Sequence, residues 1–341
     1  MTKKLIYVVS ACFLVISVLG LMAPTASLAA DITLKFAHPY SPMHPQHKEV
    51  LVPWAEKVMK ETNGQVEIKF LPGGALGKPG QAYAMVEKGV ADIGWDICDY
   101  SPGRFPMTTV IELPFMVQTA EKGSVAIWKT YEKFQGFQQE YGTTHLLALS
   151  AHAPGFFATV KKPIRTLEDL KGLKIKTAGP FTTDALALFG AVPVTQPVTE
   201  TYTSLERGVL DGVVNPFDGM VVFKLHELLK YYTPADFYSL VFWISMNKNK
   251  YDAMPANVKK AIDDNSYLGL SRIHGKSFDG SYAACKQIAL KSGMQEVTFS
   301  DEEMKKLVDI TEPLKEKWAK DMEAKGLPGK AVLEAAIEFS K

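Results

Sequence analysis

The longest uninterrupted helical pattern in the chain begins at Pro255 and reaches about Ser292 without another proline. At a rise of about 1.5 Å per residue, such a helix is about 55 Å long, which exceeds the width of one small domain. A helix of this length either connects two domains or breaks at Gly269, Gly275 or Gly280. We favour the connecting helix, and a two-domain architecture is therefore the first expectation.

The first thirty residues form a pattern of their own. Two lysines precede an almost wholly apolar run at residues 5–22, and small residues follow at 27–29. This order is typical of a secretory signal peptide. The run is nearly long enough for a transmembrane anchor, but the small-residue cleavage pattern favours a signal peptide. We predict that residues 1–30 are removed and that the mature chain functions outside the cytoplasm.

The mature chain has about 310 residues, more than one hydrophobic core usually organises, which again favours two domains. The formal net charge of the full 341-residue sequence is +1 and no segment is strongly basic, so nucleic acid is not expected as a partner. The sequence contains no glycine-rich nucleotide motif, and we expect no cofactor. Cys98 and Cys285 are too few for a disulfide scaffold, and whether they are bonded or are two buried thiols stays open.

Short β-rich segments alternate with amphipathic helical segments along the mature chain, which is typical of an α/β fold. Residues 31–38 alternate apolar and polar side chains like a strand, and residues 44–64 show helical spacing. The sequence pattern changes after residue 153, which predicts that the chain crosses into a second domain there. A β-rich run at 237–247 predicts that the chain returns to the first domain. The predicted first lobe is 31–153 plus about 242–280, and the second is 154–241 plus about 281–341.

Motifs that would indicate an enzyme or a metal site are missing from the sequence. His38, His44 and His47 lie close together, but no cysteine or acidic cluster completes a ligand set, so no metal is expected. The chain has no nucleophile elbow, no zinc-protease motif and no P-loop. An extracytoplasmic enzyme is kept only as an alternative class.

A different group of residues indicates a ligand pocket. Aromatic side chains recur at predicted strand ends and loops beside polar residues, and pockets combine apolar walls with a few placed polar groups. Ligands of α/β proteins bind outside the carboxyl ends of strands. The candidates chosen on this basis are His38, Tyr40, Trp95, Asp96, Tyr100, Arg104, Phe156, Phe157, Asn215, Phe217, Asp218 and Trp243.

Several long motifs resemble one known family. In the second half these are "IRTLEDLKGLKIKTAGP", "ALALFGAVPVTQPVTETYTSLERGVLDGVVNPF" and "FKLHELLKYYT". In the first half they are "TNGQVEIKFLPGGALG", "VEKGVADIG" and "ELPF", and "MNKNKYDAMPANVKKAI" follows later. In this order they resemble the solute-binding proteins of tripartite ATP-independent periplasmic (TRAP) transporters over nearly the whole mature chain.

The resemblance implies a bilobal periplasmic-binding-protein fold, with two α/β lobes joined by crossing strands and spanned by one long helix. It further implies a periplasmic receptor that closes over a small organic acid and delivers it to the small and large membrane subunits of a permease. No chemistry on the ligand and no cofactor are implied, and a monomer is the default expectation. A ligand-binding component of a sensor is the remaining alternative.

The resemblance also assigns residues, and here the sequence departs from the family. The arginine usual in "LKGLKIR", which takes a ligand carboxylate with two parallel hydrogen bonds, is replaced by Lys176, followed by Thr177. A second arginine, usual in "GFR", is absent at residues 155–157. The aromatic residue before "EVY" is replaced by Val198, whereas Asn215 is retained for the acid group.

These departures favour a monoanionic ligand with an apolar or aromatic body, such as an aromatic or indole-type acid or an aromatic amino acid. The hypothesis combines Lys176, Phe156 or Phe157, and the space beside Val198. A C4-dicarboxylate, a sugar acid or another small hydroxy or keto acid is the alternative. Arg104 either supplies the missing guanidinium or forms a structural ion pair at the surface of its lobe, and both interpretations stay open.

Overall fold

The computed structural model describes residues 31–341, and the predicted signal peptide lies outside the described residues. These residues form two separate β-sheets. The strands are β1 (Ile32–Ala37), β2 (Val66–Leu71), β3 (Ile93–Ile97), β4 (Thr144–Ala151), β5 (Gly155–Thr159), β6 (Lys174–Thr177), β7 (Val192–Thr195), β8 (Gly212–Asn215), β9 (Tyr231–Tyr238), β10 (Val241–Asn247) and β11 (Gln295–Glu296). The first sheet has the order β2-β1-β3-β10-β4, and the second has the order β11-β9-β5-β8-β6-β7.

Helices alternate with these strands. They are α1 (Val52–Glu61), α2 (Ala82–Glu87), α3 (Ala120–Lys133), α4 (Gln135–Glu140), α5 (Pro180–Leu188), α6 (Thr201–Glu206), α7 (Phe217–Val222), α8 (Lys248–Asp252), α9 (Ala256–Asp264), α10 (Tyr267–Lys291), α11 (Asp301–Thr311), α12 (Pro313–Glu323) and α13 (Gly329–Phe339). A π-helical segment, His47–Leu51, leads into α1. Short 3-10 turns occupy Cys98–Tyr100, Thr108–Glu112, Leu167–Leu170, Val198–Glu200 and Leu225–Glu227.

Strand β1 illustrates how the sequence forms the first sheet. Leu34 and Phe36 are fully buried, whereas the alternating Thr33 and Lys35 are exposed. The strand pairs in parallel with β2, and Phe36 lies opposite Phe70. A period of two therefore places the apolar side chains on the core face of the sheet, as the sequence pattern predicts.

The chain crosses between the two sheets at two adjacent places. Strand β4 belongs to the first sheet and β5 to the second, with residues 152–154 between them, and β9 passes to β10 through Ser239 and Leu240. The His152 N–H donates to the Leu240 carbonyl at 3.3 Å, and the Ser239 hydroxyl donates to the His152 carbonyl at 2.9 Å. The crossings occur where the sequence analysis placed them, and the lobe boundaries drawn from them stay a prediction.

The long helix differs from its sequence prediction at its start. A single helix over residues 255–292 is wrong, because α9 ends before α10 begins as a separate 25-residue helix. The Ser266 hydroxyl caps the Ile262 carbonyl at 2.7 Å, and Tyr267 has a φ of 65° that no helix continues through. The helix α10 is not broken at any of its three glycines.

Helix α10 nevertheless contacts both lobes. Its first half buries Leu270 and His274 beside α3 and β4 of the first lobe. Its second half buries Cys285 and Ala289 in the second-lobe cluster around α7. The connecting role predicted from its length therefore holds for the shorter helix.

The last two helices pack on the first lobe. Trp318 and Met322 of α12 share a hydrophobic cluster with Trp128 of α3 and Val332 of α13. The Trp318 indole N–H donates to the Thr109 hydroxyl at 3.0 Å. This packing differs from the predicted division, which assigns residues 281–341 to the second lobe.

Cys98 and Cys285 are buried free thiols, which answers the question that the sequence leaves open. Across residues 31–341, no helix is both long and apolar enough to span a membrane. The same residues contain no cluster of three or more His, Cys, Asp or Glu side chains arranged to hold a metal ion.

Candidate functional site

A small cavity lies between the lobes, next to the two crossing segments. Its volume is about 40 Å³, so a ligand larger than one or two water molecules enters only if the walls move apart. The cavity is lined by Tyr40, His44, Ile97, Tyr100, His152, Lys176, Val198, Asn215, Pro216, Asp218, Gly219, Phe223, Tyr238, Leu240, Phe242 and Phe278. The carboxyl ends of β3, β6 and β8 contribute to this wall, which is the usual position of a ligand in an α/β protein.

Six of the predicted ligand residues meet at this cavity. They come from both lobes and are Tyr40, Tyr100, Lys176, Val198, Asn215 and Asp218. Both the residues chosen from strand ends and those assigned by the family resemblance are represented. The structure thus joins two independent parts of the sequence analysis at one place.

Lys176 is the cation of the cavity. It lies on β6, only 2 % of its surface is exposed, and its ammonium group has no hydrogen bond or ion pair with the residues that the structure describes. Burial lowers the pKa of Lys176 to about 8, because the charged form is deprived of water. Of the described side chains that line the cavity, this is the single lysine or arginine.

Asn215 and Asp218 form a polar corner at the end of β8. The Asn215 amide donates to the Pro216 carbonyl at 3.1 Å, which fixes the side chain. Asp218 lies in the first turn of α7 and is buried, and its Oδ1 atom has no hydrogen-bond partner. Burial raises the pKa of Asp218 to about 6, and the Gly219 N–H offsets part of that rise.

Two tyrosines are held by specific hydrogen bonds. The Tyr40 hydroxyl donates to Asp96 Oδ1 at 3.0 Å, and the N–H groups of Gly80 and Ile97 also donate to the Asp96 carboxylate, at 2.8 and 2.9 Å. Asp96 therefore positions Tyr40 and does not line the cavity itself. The Tyr100 hydroxyl accepts from the Val198 N–H at 3.1 Å, which links the two lobes.

The structure does not bring Phe156, Phe157 or Phe217 to the cavity. Successive side chains of β5 point to opposite faces of the second sheet, and both faces are covered. The ring of Phe156 lies 4.2 Å from that of Phe217, and the ring of Phe157 lies 4.8 Å from that of Phe237. All three predicted residues belong to the second-lobe cores.

Four further predicted residues lie outside the cavity wall. Trp95 is fully buried directly behind Tyr40, with ring centroids 4.6 Å apart, so it supports the wall from behind. Trp243 packs on Tyr83 in a separate cluster of the first lobe. The His38 Nε2 atom is 2.9 Å from His47 Nδ1. Thr177 is also fully buried.

Of the two roles considered for Arg104, a ligand-binding guanidinium or a structural ion pair, the structure shows the ion pair. Its guanidinium donates to Glu87 at 2.5 Å and lies over the Tyr83 ring at 4.7 Å from the ring centre. It does not line the cavity. Lys176 is therefore the charged group available for an anion in this site.

The sequence analysis missed several wall residues, of which two are histidines. His44 was considered only as a metal ligand, and His152 was not singled out, although it lies at the predicted crossing. The aromatic residues missed are Phe223, Tyr238, Phe242 and Phe278. Tyr238 and Phe242 flank the second crossing, so proximity to the crossings was the signal that would have found them.

A larger groove of about 560 Å³ lies between the Cys98–Tyr100 turn, α5 and α12. Lys317, Asp321 and Lys325 contribute charges to it, and Phe105 and Phe181 contribute apolar surface. None of the fifteen predicted ligand residues, all of which the structure describes, lines this groove. We therefore assign the ligand site to the smaller cavity, whose buried cation is unpaired.

Comparisons with known proteins agree with this fold. The family model described as bacterial extracellular solute-binding protein, family 7, matches residues 36–321. A TRAP solute-binding protein from a marine metagenome, crystallised with 3-hydroxybenzoate, superposes with a TM-score of 0.87 at 33% identity over 92% of this chain and 98% of that one. A TRAP solute-binding protein from Rhodoferax ferrireducens, with copurified benzoate, gives 0.87 and 33% over 90% and 97%.

Curated relatives match over about 70–90% of this chain. The outer membrane transporter protein TsaT of Comamonas testosteroni is 29% identical over 91% of this chain and 92% of its own length. The C4-dicarboxylate-binding periplasmic protein DctP of Rhodobacter capsulatus is 26% identical over 72% and 74%. One of these relatives is thus named for a C4-dicarboxylate, whereas the two structural neighbours hold aromatic acids.

Proposed function

The chain belongs to the TRAP solute-binding proteins of bacterial extracellular solute-binding protein family 7, and from this premise we propose that it is a periplasmic receptor for a monoanionic aromatic acid. The receptor captures the acid between its lobes and releases it unchanged to the small and large membrane subunits of a TRAP permease. The observation that carries the proposal is the unpaired, buried ammonium group of Lys176 in the cavity wall.

A buried cation without a partner is costly, because it has lost water and gained no counterion. A ligand carboxylate supplies that counterion and accepts a charge-assisted hydrogen bond, which contributes about 1.5–3 kcal/mol. Since lysine is a point charge rather than a planar fork, one carboxylate oxygen is enough. The cavity is therefore suited to bind an anion when Lys176 is protonated.

The number of charges favours one carboxylate rather than two. Beyond Lys176, the titratable groups in the wall are Asp218, which repels an anion when ionised, and tyrosines and histidines. Burial lowers the pKa of His44 to about 3 and that of His152 to about 4, so both rings are neutral near pH 7. The second carboxylate of a C4-dicarboxylate would have no cation to bind.

Aromatic and aliphatic side chains supply the rest of the wall. Tyr40, Tyr238, Phe242 and Phe278 offer ring surfaces, and a flat aromatic body gains offset or edge contacts with such rings. The sequence hypothesis of an aromatic ligand rested partly on Phe156 and Phe157, which lie elsewhere. The proposal now rests on the rings that line the cavity and on the acids bound by the two structural neighbours.

Isothermal titration calorimetry with benzoate, phenylacetate, succinate and malate tests the proposal. We expect the aromatic acids to bind at least about tenfold more tightly than the dicarboxylates, a difference of about 1.4 kcal/mol. Tighter binding of succinate or malate would contradict it. Mass spectrometry after incubation is expected to recover the bound acid unchanged, whereas a converted product would indicate the enzyme alternative.

A further inference from the structure

Two histidines line the cavity, and main-chain contacts fix which ring nitrogen of each carries the proton. The His152 Nδ1 atom lies 2.6 Å from the Ala153 carbonyl oxygen. A carbonyl only accepts, so Nδ1 is the protonated nitrogen and donates. In the neutral ring Nε2 therefore holds a lone pair, and it has no hydrogen-bond partner among the residues that the structure describes.

His44 shows the opposite arrangement. Its Nδ1 atom accepts a hydrogen bond from the Gln46 N–H at 3.2 Å. The proton of the neutral ring is therefore on Nε2, which becomes a donor. The cavity wall thus contains one imidazole that donates, His44, and one that accepts, His152, and the two are not interchangeable.

The position of His152 is fixed by the crossing segments. Its N–H and carbonyl are both hydrogen-bonded, to Leu240 and Ser239 of the second crossing. Its ring packs against Tyr238, with ring centroids 5.1 Å apart. Burial is the main cause that lowers the pKa of His152, and the nearby Lys176 ammonium lowers it further by charge repulsion. An acceptor therefore stands near the cation that takes the carboxylate.

We propose that His152 Nε2 accepts a hydrogen bond from a hydroxyl group on the carbon next to the ligand carboxylate, so that the receptor selects 2-hydroxy arylacetates. The inference deepens the proposed function and rests on it. Lys176 and His152 line the same small cavity, so a carboxylate held by Lys176 would have its neighbouring carbon, rather than the far edge of an aromatic ring, within reach of His152. An acid without that hydroxyl leaves the buried acceptor unpaired, which costs binding energy.

Calorimetric titration of mandelate and phenylacetate, which differ by this one hydroxyl, tests the inference. We expect the wild-type protein to bind mandelate about 3- to 10-fold more tightly, as one neutral hydrogen bond predicts. In His152→Phe, which lacks the acceptor, the ratio is expected to fall to about one. In His152→Gln, which keeps a carbonyl acceptor, part of the preference is expected to return. Lys171→Met, at an exposed lysine paired with Glu168, is the control and is expected to keep the wild-type ratio.

The outcomes separate the inference from the function on which it rests. Equal wild-type affinities for the two acids, or a ratio that survives in His152→Phe, would overturn the role of His152 while leaving an aromatic-acid receptor. Binding of neither acid would overturn the proposed function itself. If His152→Phe does not fold, the mandelate-to-phenylacetate affinity ratios of the wild-type protein and of His152→Gln still test the role of His152.

A second readout distinguishes an acceptor from a charged donor. Titrations of mandelate in phosphate and in Tris at the same pH report protons taken up on binding. The neutral acceptor predicts equal proton uptake by the wild-type protein and His152→Gln. About one additional proton taken up by the wild-type protein would mean that the ring becomes cationic, and would overturn the inference.

Discussion

Lys176 shows how one side chain can define a site. The family resemblance places an arginine at this position, and in the structure the lysine found there is buried and lines the interlobe cavity. With no partner among the described residues, the buried ammonium destabilises the ligand-free protein. Its burial is explained by the anion that it is proposed to bind.

Replacing Lys176 by methionine is expected to act on stability and on binding in opposite directions. Lys176→Met keeps the length of the side chain but removes an unpaired buried charge, so the ligand-free protein melts at a higher temperature. The affinity for phenylacetate falls by about 10- to 100-fold, because a charge-assisted hydrogen bond is lost. Thermal unfolding and calorimetry measure the two effects. Lys171→Met is the matched control and is expected to change neither the melting temperature nor the affinity. A Lys176→Met protein with wild-type affinity would show that Lys176 does not bind the ligand carboxylate.

The affinity for phenylacetate is expected to depend on pH through Lys176. The carboxylate binds the protonated amine, and the pKa of that amine in the free protein is about 8. Below this pH the cation is present, whereas above it the affinity falls by about tenfold per pH unit. Titrations between pH 7 and pH 10 measure the slope. Lys176→Arg stays protonated and is expected to lose this alkaline dependence; a flat wild-type profile would contradict the prediction.

The sequence could identify some wall residues because their signal is local. Lys176, Val198 and Asn215 lie in motifs shared with the family, and Tyr40 and Tyr100 follow strands. Phe156 was misplaced because a strand that is buried on both faces gives its rings to two cores, and the sequence alone does not show which rings are covered. The role of His152 depends on a carbonyl contact and on the neighbouring crossing, which only the folded chain brings together.

Helix α10, which contacts both lobes, has one glycine packed closely against α3 and another that faces open space. A Cβ atom at Gly275 would lie 2.6 Å from the Ala120 carbonyl oxygen and 2.6 Å from the Ser124 hydroxyl. Glycine therefore allows α10 and α3 to approach at the backbone. At Gly280 nothing lies within 4 Å, so the same helix tolerates a side chain there.

The two glycines are expected to respond in opposite ways to alanine. Gly275→Ala forces the helices apart and lowers the free energy of unfolding by about 1–3 kcal/mol. Gly280→Ala raises it by about 0.5–1 kcal/mol, since alanine stabilises an exposed helical position. Chemical denaturation of both variants measures the difference. Equal effects of the two substitutions would mean that the close contact does not limit the packing of α10.

The start of α10 shows what periodicity cannot predict. The break between α9 and α10 contains no proline or glycine, and the apolar spacing continues across it. The break comes from side-chain caps, since the Asn265 amide and the Ser266 hydroxyl bind the last carbonyls of α9. Asparagine and serine are common at such ends, but they also occur within helices.

The lobes approach each other closely where Gly179 faces Asp99. Gly179 precedes α5 in the second lobe, and Asp99 follows β3 in the first. A Cβ atom at Gly179 would lie 1.9 Å from the Asp99 Oδ2 atom and 3.3 Å from a Leu240 methyl group. A side chain at this point would displace the Asp99 carboxylate, whereas glycine fits the closed arrangement without that movement.

Gly179→Ala is expected to weaken ligand binding by disfavouring closure. If the overlap costs about 1–3 kcal/mol, the affinity for phenylacetate falls by about 5- to 100-fold. The unfolding temperature without ligand changes little, because each lobe keeps its own core. Small-angle scattering is expected to show a larger radius of gyration than for the wild-type protein with ligand. Gly269→Ala, which meets nothing within 4 Å, is the control; unchanged affinity in Gly179→Ala would show that the contact does not govern closure.

The most direct test of the account is a crystal structure of the protein with phenylacetate. The account predicts closed lobes, a ligand carboxylate oxygen about 2.7–3.2 Å from Lys176 Nζ, and an aromatic ring against Tyr40 and Phe242. A carboxylate that contacts no cation, or a ligand bound in the larger groove beside α12, would contradict the central claim.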